Sequence, residues 1–282
     1  MKDRAVAGGG RLQGEVRVPG DKSVSHRALI LGALAEGETV IEGLSSGADV
    51  ASTRSCLETL GVEISGEAPS VRVRGRGLGG LKAPAGPLDA GNSGTTMRLL
   101  SGVLAGHPFA SQFIGDESLT RRPMRRVAEP LRLMGATIGL SEAETPPISI
   151  AGGSLKGIEY TTPMASAQVK SAILLAGLHA AGETTVVEPA ATRDHTERML
   201  AAFGVPVRLT GLKATVSGGS RLKASKVQIP GDPSSAAFWV VAATLAPGSE
   251  LSVRGVGSNP TRTGYLSVLA RMGADIHREP AR

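Results

Sequence analysis

The 282 residues predict an α/β (α+β) protein in which small sheets surround buried helices, assembled from repeated copies of one unit. Three observations lead there. Glycines recur with a period near 70, several segments are apolar on every side over ten residues or so, and short runs alternate apolar with polar residues. The period is longer than that of the common solenoids, so each copy is a larger α/β unit rather than a hairpin of helices.

Four copies follow one plan: an apolar helix, a glycine, a strand, a polar loop, a second helix, then a glycine before another strand. The first copy runs from Arg27 through Gly37 to the strand at Thr39-Val40-Ile41-Glu42. It continues through Ser52–Leu60 to Gly61 and Val62. The second runs from Met97 through Gly106 to Gly135, the third from Ser171 through Gly182 to Gly204, and the fourth from Ala236 through Gly248 to Gly273. Gly37, Gly106, Gly182 and Gly248 are expected to close the first helix of each copy. Gly61, Gly135, Gly204 and Gly273, spaced 74, 69 and 69, are expected to follow the second. First helices that are apolar all round belong in a core. The second helices are amphipathic, with Arg126, Glu129 and Arg132 sharing one with Val127, Leu131 and Leu133. Alternation at Val71-Arg72-Val73-Arg74 predicts strands with one wetted face.

Composition narrows the function. Hydrophobic residues make up 41%, but aromatics only 2%, so Ala, Leu, Val and Ile must fill the core. The net charge of +6 fits a basic surface for nucleic acid, a basic cleft for a small polyanion, or a solvated arginine-rich face. Seven aromatics argue against single-strand binding, which relies on stacking. The lone Cys56 excludes an internal disulfide and a cysteine metal site, and it reads as a buried small residue in a reducing compartment. No apolar run follows Met1-Lys2-Asp3-Arg4, and no stretch reaches membrane-spanning length, so the expectation is a cytoplasmic protein.

The starts of the four apolar helices are alike. They read Gly20-Asp21-Lys22-Ser23, Asn92-Ser93-Gly94-Thr95, Ser166-Ala167-Gln168 and Gly231-Asp232-Pro233-Ser234. Such starts cap helices, and they also present N–H groups and a positive dipole end to an anion. Lys22 with Arg27, Arg98 and Lys170 put cations in or near the first turn of three of them, which capping does not require. Arg121-Arg122-Pro123, Arg193-Asp194-His195 and Asn259-Pro260-Thr261-Arg262 add loop arginines suited to phosphate or carboxylate, or to plain ion pairs.

These motifs, together with Asn92 to Arg98, Ser166 to Lys170 and Arg193 to Glu197, resemble the 5-enolpyruvylshikimate-3-phosphate synthase family in its class II bacterial branch. The resemblance covers nearly the whole chain. It implies two lobes of βαβαββ units, with one complete lobe at 19–227 and a partial second lobe at 1–18 plus 228–282, crossing near Gly14–Gly20 and Lys226–Gly231. It implies transfer of the enolpyruvyl group of phosphoenolpyruvate to the 5-hydroxyl of shikimate 3-phosphate, without metal or organic cofactor. No nucleic acid or membrane partner is implied, and a monomer is expected at full length.

By the same resemblance, Lys22, Ser23, Arg27, Ser166, Gln168 and Arg193 hold shikimate 3-phosphate. Asn92, Gly94 and Arg122 line the phosphoenolpyruvate pocket, while Lys22 and Gln168 meet both ligands. Lys22 is the catalytic candidate, as electrostatic partner and proton carrier. Structural roles are expected for Asp49, Arg98, Glu197 and Asp232, and His195 has either a site or a packing role. The family is the target of glyphosate, which mimics phosphoenolpyruvate; Gly94 leaves space where some tolerant relatives carry Ala, while class II members are often tolerant, so the resemblance leaves sensitivity open. The related UDP-N-acetylglucosamine enolpyruvyl transferases carry Lys-Asn in the first motif and a reactive Cys after the second unit. Here Ser23 follows Lys22, and residues 107–123 hold no Cys.

Four units stand where the family has six, so the sequence reads as a fragment with an incomplete second lobe, and a non-catalytic anion-binding module is the alternative. Apolar surface is expected to be uncovered in the partial lobe. Turnover by the 282 residues is expected to be negligible. A coupled phosphate-release assay checks this, and ordinary family rates would refute it.

Overall fold

A computed structural model describes residues 9–280, so the reading made at Met1–Arg4 lies outside the described residues. The eight α-helices among them are α1 (Lys22–Leu34), α2 (Ala48–Thr59), α3 (Gly94–Leu104), α4 (Arg125–Met134), α5 (Ala167–Gly177), α6 (His195–Ala202), α7 (Pro233–Leu245) and α8 (Gly264–Arg271). The chain divides into two compact units, one of residues 22–229 and one of residues 1–21 with 230–282.

The unit of residues 22–229 holds three four-stranded sheets with one strand order. In the second sheet, Leu88–Asp89 runs parallel to Ala110–Ile114, which pairs antiparallel with Ile148–Ala151, and Thr137–Gly139 lies at the edge. The third repeats this with Glu159–Thr161, Glu183–Val187, Lys213–Ser217 and Arg208–Thr210. In the first, Glu36–Glu42, Ser70–Arg76 and Glu63–Glu67 fill the same places, but the leading parallel strand is Lys226–Gln228. The first copy is therefore completed from the far end of the unit, a closure that a linear repeat does not announce. The α/β class and the βαβαββ plan both hold.

The first helices of these copies, α1, α3 and α5, are buried almost throughout. Beyond its polar first turns each is built mostly of Ala, Leu, Ile, Val and Gly without long β-branched runs, so propensity and burial agree. Short side chains let backbones meet: a Cβ on Gly102 of α3 would stand 2.1 Å from the Ala172 carbonyl oxygen of α5. Gly75, Gly152 and Gly218, in or just after the third strand of each sheet's order, lie equally close to backbone carbonyls of Ala35, Leu104 and Ala180, just past the buried helices or, for Leu104, at the end of one. The alternation expected of the strands is present, with Val71 and Val73 buried and Arg72 and Arg74 exposed.

The recurrent glycines separate into two kinds. Gly61, Gly135, Gly204 and Gly273 all have φ between +83° and +113° and follow the second helices directly, as left-handed helix ends that a Cβ would strain. Gly37, Gly106, Gly182 and Gly248 do not close the first helices as expected. They stand beyond the helix ends, and three of them are left-handed where the chain turns into its strand. On α4, Leu133 is 52% exposed while Ala128, Pro130 and Met134 are buried, so the apolar face is rotated from the one expected.

A polar chain crosses the core. His26 Nδ1 lies 2.6 Å from Thr53 Oγ1, which lies 2.6 Å from Thr96 Oγ1, which lies 2.7 Å from Ser93 Oγ, joining α1, α2 and α3. Burial, first, then the Arg27 charge push the His26 pKa down to about 3. His179 faces His107 at a ring-centroid distance of 5.0 Å, and burial lowers its pKa to about 4. Cys56 is buried as expected, and burial pushes its thiol up to about 12.

In the unit of residues 1–21 and 230–282, Gln13–Arg17 pairs parallel with Glu250–Arg254. Gly20 and Gly231 bridge each other, and Arg262 pairs with Asp21 at 3.3 Å and with Asp232 at 3.1 Å, so the Arg262 loop serves ion pairing. Asp232 also caps α7 by accepting from the Ser234 N–H. The fourth apolar helix is not buried: only Pro233 and Ala236 of α7 are, and Phe238 is 79% exposed. Among the described residues, no helix is long and apolar enough to cross a membrane.

Both lowered histidine pKa values fall below the ordinary value near 6.5. The unfolded chain therefore binds protons first as pH drops, and stability that is full above pH 6.5 is lost on acidification. At pH 5 each histidine is expected to cost roughly 2 kcal/mol. Urea unfolding at pH 7.5 and pH 5 checks this: His179→Phe keeps a ring and removes one titrating group, so its midpoint should fall less. An equal fall in both proteins would exclude His179 as a contributor.

Candidate functional site

The starts of α1, α3 and α5 carry seven of the nine residues expected to bind ligand. Arg122 and Arg193 come from the loops before α4 and α6. All nine lie in the unit of residues 22–229.

Ser166 caps α5 by accepting from the Val169 N–H, and Ser93 caps α3 by accepting from the Thr96 N–H. The caps fix where each helix begins and so where its first side chains stand. Gln168 joins the two starts: its Nε2 donates to Thr95 Oγ1 at 2.8 Å and its Oε1 accepts from Arg98 at 2.8 Å. Thr95 and Arg98 thereby enter the constellation. Sequence reasoning passed over Thr95 entirely and gave Arg98 a structural role. The clue for both was their place in the first turn of a helix whose cap was already recognised.

Arg122 donates to Asn92 Oδ1 at 2.7 Å, and Asn92 in turn donates to Asp116 Oδ2 at 2.6 Å. The Asn92 bond, first, and backbone N–H groups at 118 and 119 hold the Asp116 carboxyl below its usual range. Gly94 lies under two guanidinium groups: a Cβ there would stand 2.7 Å from Arg98 Nη1 and 3.3 Å from Arg122 Nη1. Its missing side chain is what lets the two cations close in. Burial, then the charges of Arg122 and Arg126, lower the Arg98 pKa.

Lys22, at the start of α1, is 53% exposed and pairs with Asp49 at 2.8 Å. Ser23 is buried behind it and meets both Arg27 (2.8 Å) and His195 Nδ1 (3.0 Å). Arg27 is 3% exposed. Its Nε donates to Thr196, Nη1 to the Ser23 carbonyl and hydroxyl, and Nη2 to Ser171, so it clamps α1 to α5 and α6 from beneath Ser23. His195 opens α6 and is buried, with its ring turned to Ser23, which joins the packing role to the site. Arg193 is half-buried in the turn before α6.

Lys170 does not join the cationic wall that its position suggested. It is buried between Glu188 at 2.6 Å and Glu197 at 2.7 Å, because one turn into α5 its side chain points into the core. This triad ties α5 to the loop that carries Arg193, and it accounts for the structural role read for Glu197.

A cavity of about 190 Å³ opens beside these groups, lined by Arg98, Pro123, Arg126, Val127, Ser166, Gln168 and Val169. Among the described residues, Arg98, Arg122 and Arg126 form no ion pair with any carboxylate. Asp116 is joined to Arg122 by hydrogen bonds through Asn92, and the Arg122 charge also helps to lower its pKa. Three guanidinium groups without a direct salt bridge, beside two capped helix starts, suit a phosphate- or carboxylate-bearing molecule. No group of three His, Cys, Asp or Glu side chains among the described residues is arranged to hold a metal ion.

Residues 6–282 match the family description EPSP synthase (3-phosphoshikimate 1-carboxyvinyltransferase). The chain is 57% identical over 270 residues to a 3-phosphoshikimate 1-carboxyvinyltransferase of Methylococcus capsulatus, which covers 95% of this chain and 62% of that protein. It is 60% identical over 273 residues to one of Halorhodospira halophila, with 96% and 62% covered. The solved EPSP synthase structure from Acinetobacter baumannii superposes with a TM-score of 0.89 at 53% identity, covering 95% of this chain and 61% of that one. The chain thus spans less than two thirds of the length of these relatives.

Removing the Lys170 cation strands two carboxylates in the core. Lys170→Met is expected to destabilise the protein by about 3–5 kcal/mol. Urea unfolding at pH 7.5 measures this, and a change within about 0.5 kcal/mol, typical of surface substitutions, would show that the triad holds nothing.

Proposed function

The chain belongs to the EPSP synthase family, and on that premise we propose that it serves the transfer of the enolpyruvyl group from phosphoenolpyruvate to the 5-hydroxyl of shikimate 3-phosphate. In that reaction the bond from C2 of the donor to its phosphate oxygen breaks and a bond from C2 to the acceptor oxygen forms. Phosphate leaves, and the methylene carbon takes up a proton and later loses one. The unit of residues 22–229 contributes a floor of oriented donors for both anions.

One observation carries the reading: the Arg98 and Arg122 guanidinium groups converge over the bare Gly94, with no carboxylate paired to them among the described residues. A fixed excess of positive charge is costly in the empty protein and becomes favourable when an anion fills it. Asn92, Gly94 and Arg122 then take the phosphoenolpyruvate. Lys22, Ser23, Ser166, Gln168 and Arg193 take shikimate 3-phosphate, with Arg27 holding Ser23 in place from below. Gln168 stands between the two ligands, and Lys22, exposed and paired with Asp49 at its ammonium, is the group placed to turn from Asp49 to substrate and carry a proton. The full-length protein acts as a monomer, and a free, buried Cys56 is in keeping with a place in the cytoplasm.

Calorimetric titration tests this. Shikimate 3-phosphate is expected to bind the wild-type chain. Phosphoenolpyruvate is expected to bind more tightly once shikimate 3-phosphate is present, because the two share Lys22 and Gln168. Lys22→Ala should weaken both by roughly tenfold or more, the loss of a charge-assisted contact. An absence of heat with shikimate 3-phosphate at any concentration would refute the assignment.

A further inference from the structure

We propose that Arg126 is a further phosphate-recognition residue, the ligand group being a phosphate monoester seated in the cavity between Arg126, Arg98 and Ser166. The inference rests on the substrate reading above for the identity of the ligand, though not for its chemistry.

The argument begins on α4. Arg125 and Arg126 are adjacent and both exposed, yet they are used differently. Arg125 is neutralised, standing 3.6 Å from Glu129 and 3.6 Å from Glu144. Arg126 meets no carboxylate among the described residues. It lies instead with Nη1 against the thioether sulfur of Met164, in the turn that leads into the Ser166 cap. A thioether is a weak acceptor that leaves the charge of a guanidinium uncompensated. Met164 thus orients the arginine without neutralising it.

The same side chain lines the cavity together with Ser166 and Gln168. Arg98 lines it from α3, held by Gln168 Oε1 through Nη1. The cavity therefore has two cations, one hydroxyl and one amide on its wall, and no acidic residue among its lining. Pro123, Val127 and Val169 supply an apolar backing that reduces competition from water. A planar fork matches two oxygens of a phosphate, which leaves the third for Ser166. A phosphate monoester, with three free oxygens and up to two negative charges, offers two arginines and a hydroxyl more acceptor sites and more charge than a carboxylate does. Burial, first, and then the charges of Arg122 and Arg126 lower the Arg98 pKa, so the three guanidinium groups stand close enough to repel one another.

Shikimate 3-phosphate and phosphoenolpyruvate both bring a phosphate, so the test titrates each, with shikimate and inorganic phosphate alongside, into wild type, Arg126→Gln and Arg125→Gln. Gln keeps the helix, and unchanged thermal midpoints establish that each variant folds. Arg126→Gln is expected to weaken the phosphate-bearing ligand that uses the cavity by roughly tenfold. It should also flatten the salt dependence of that binding and leave shikimate unaffected. Loss confined to shikimate 3-phosphate or to phosphoenolpyruvate supports the inference and says which phosphate sits there. Arg125→Gln should bind like wild type. Unchanged affinity of Arg126→Gln for every phosphate ligand overturns the proposal, and so does an equal loss in Arg125→Gln, which would mark a general effect of net charge. If wild type binds inorganic phosphate but not shikimate 3-phosphate, the substrate reading fails while Arg126 is still decided by the phosphate arm. If wild type binds none of them, both fall.

Discussion

The contact of α3 with α5 governs the rest of the large unit. Gly102 presses against the backbone of Ala172, closer than any side chain would allow. The two helices run side by side, and four residues earlier on each, Arg98 reaches Gln168. The spacing of the cationic wall is thus set by a packing contact one turn deeper in the core. A larger residue at position 102 would force the helices apart and open the Thr95–Gln168–Arg98 link without touching a single polar group.

Charges in this unit fall into two populations. Arg27 and Lys170 are sunk in the core and spent on protein acceptors: Arg27 on Ser23, Thr196 and Ser171, Lys170 on Glu188 and Glu197. They hold α1, α5 and the loop before α6 in register. Arg98, Arg122 and Arg126 stand in or just before the helix starts and form no direct salt bridge among the described residues. Buried pairs position and unpaired groups attract, and residue type alone does not separate them. The direction in which each side chain leaves its helix does.

Closure matters as much as repetition. The strand Lys226–Gln228 completes the sheet begun by Glu36–Glu42, so the three copies close into one compact unit rather than a row. In the other unit, α7 has the composition of its buried counterparts yet exposes Phe238, Trp239 and Leu245. The same apolar pattern thus gives a core helix in one unit and an exposed one in the other. Burial depends on what packs against a helix, which its own residues do not encode.

The period near 70, the apolar first helices, the left-handed glycines after the second helices and the polar helix starts were all legible in the sequence. Each depends on local chemistry: helical periodicity, Cβ strain and capping. The helix-start and loop motifs likewise held residues that the fold brings together, Gln168 with Arg98 and Asn92 with Arg122. The three-dimensional arrangement decided the remainder. It turned Lys170 inward, placed Arg27 beneath Ser23, exposed Leu133, and brought Arg126 to the wall shared with Ser166. It also drew the first leading strand from residues far along the chain. Apart from the Arg27–Ser23 bond within one helix turn, the contacts behind those outcomes reach from 18 positions, Lys170 to Glu188, to 186, Lys226 to Val40. Nearest-neighbour patterning determines which elements form, but only their mutual packing determines which charge finds a partner and which stays open to a ligand.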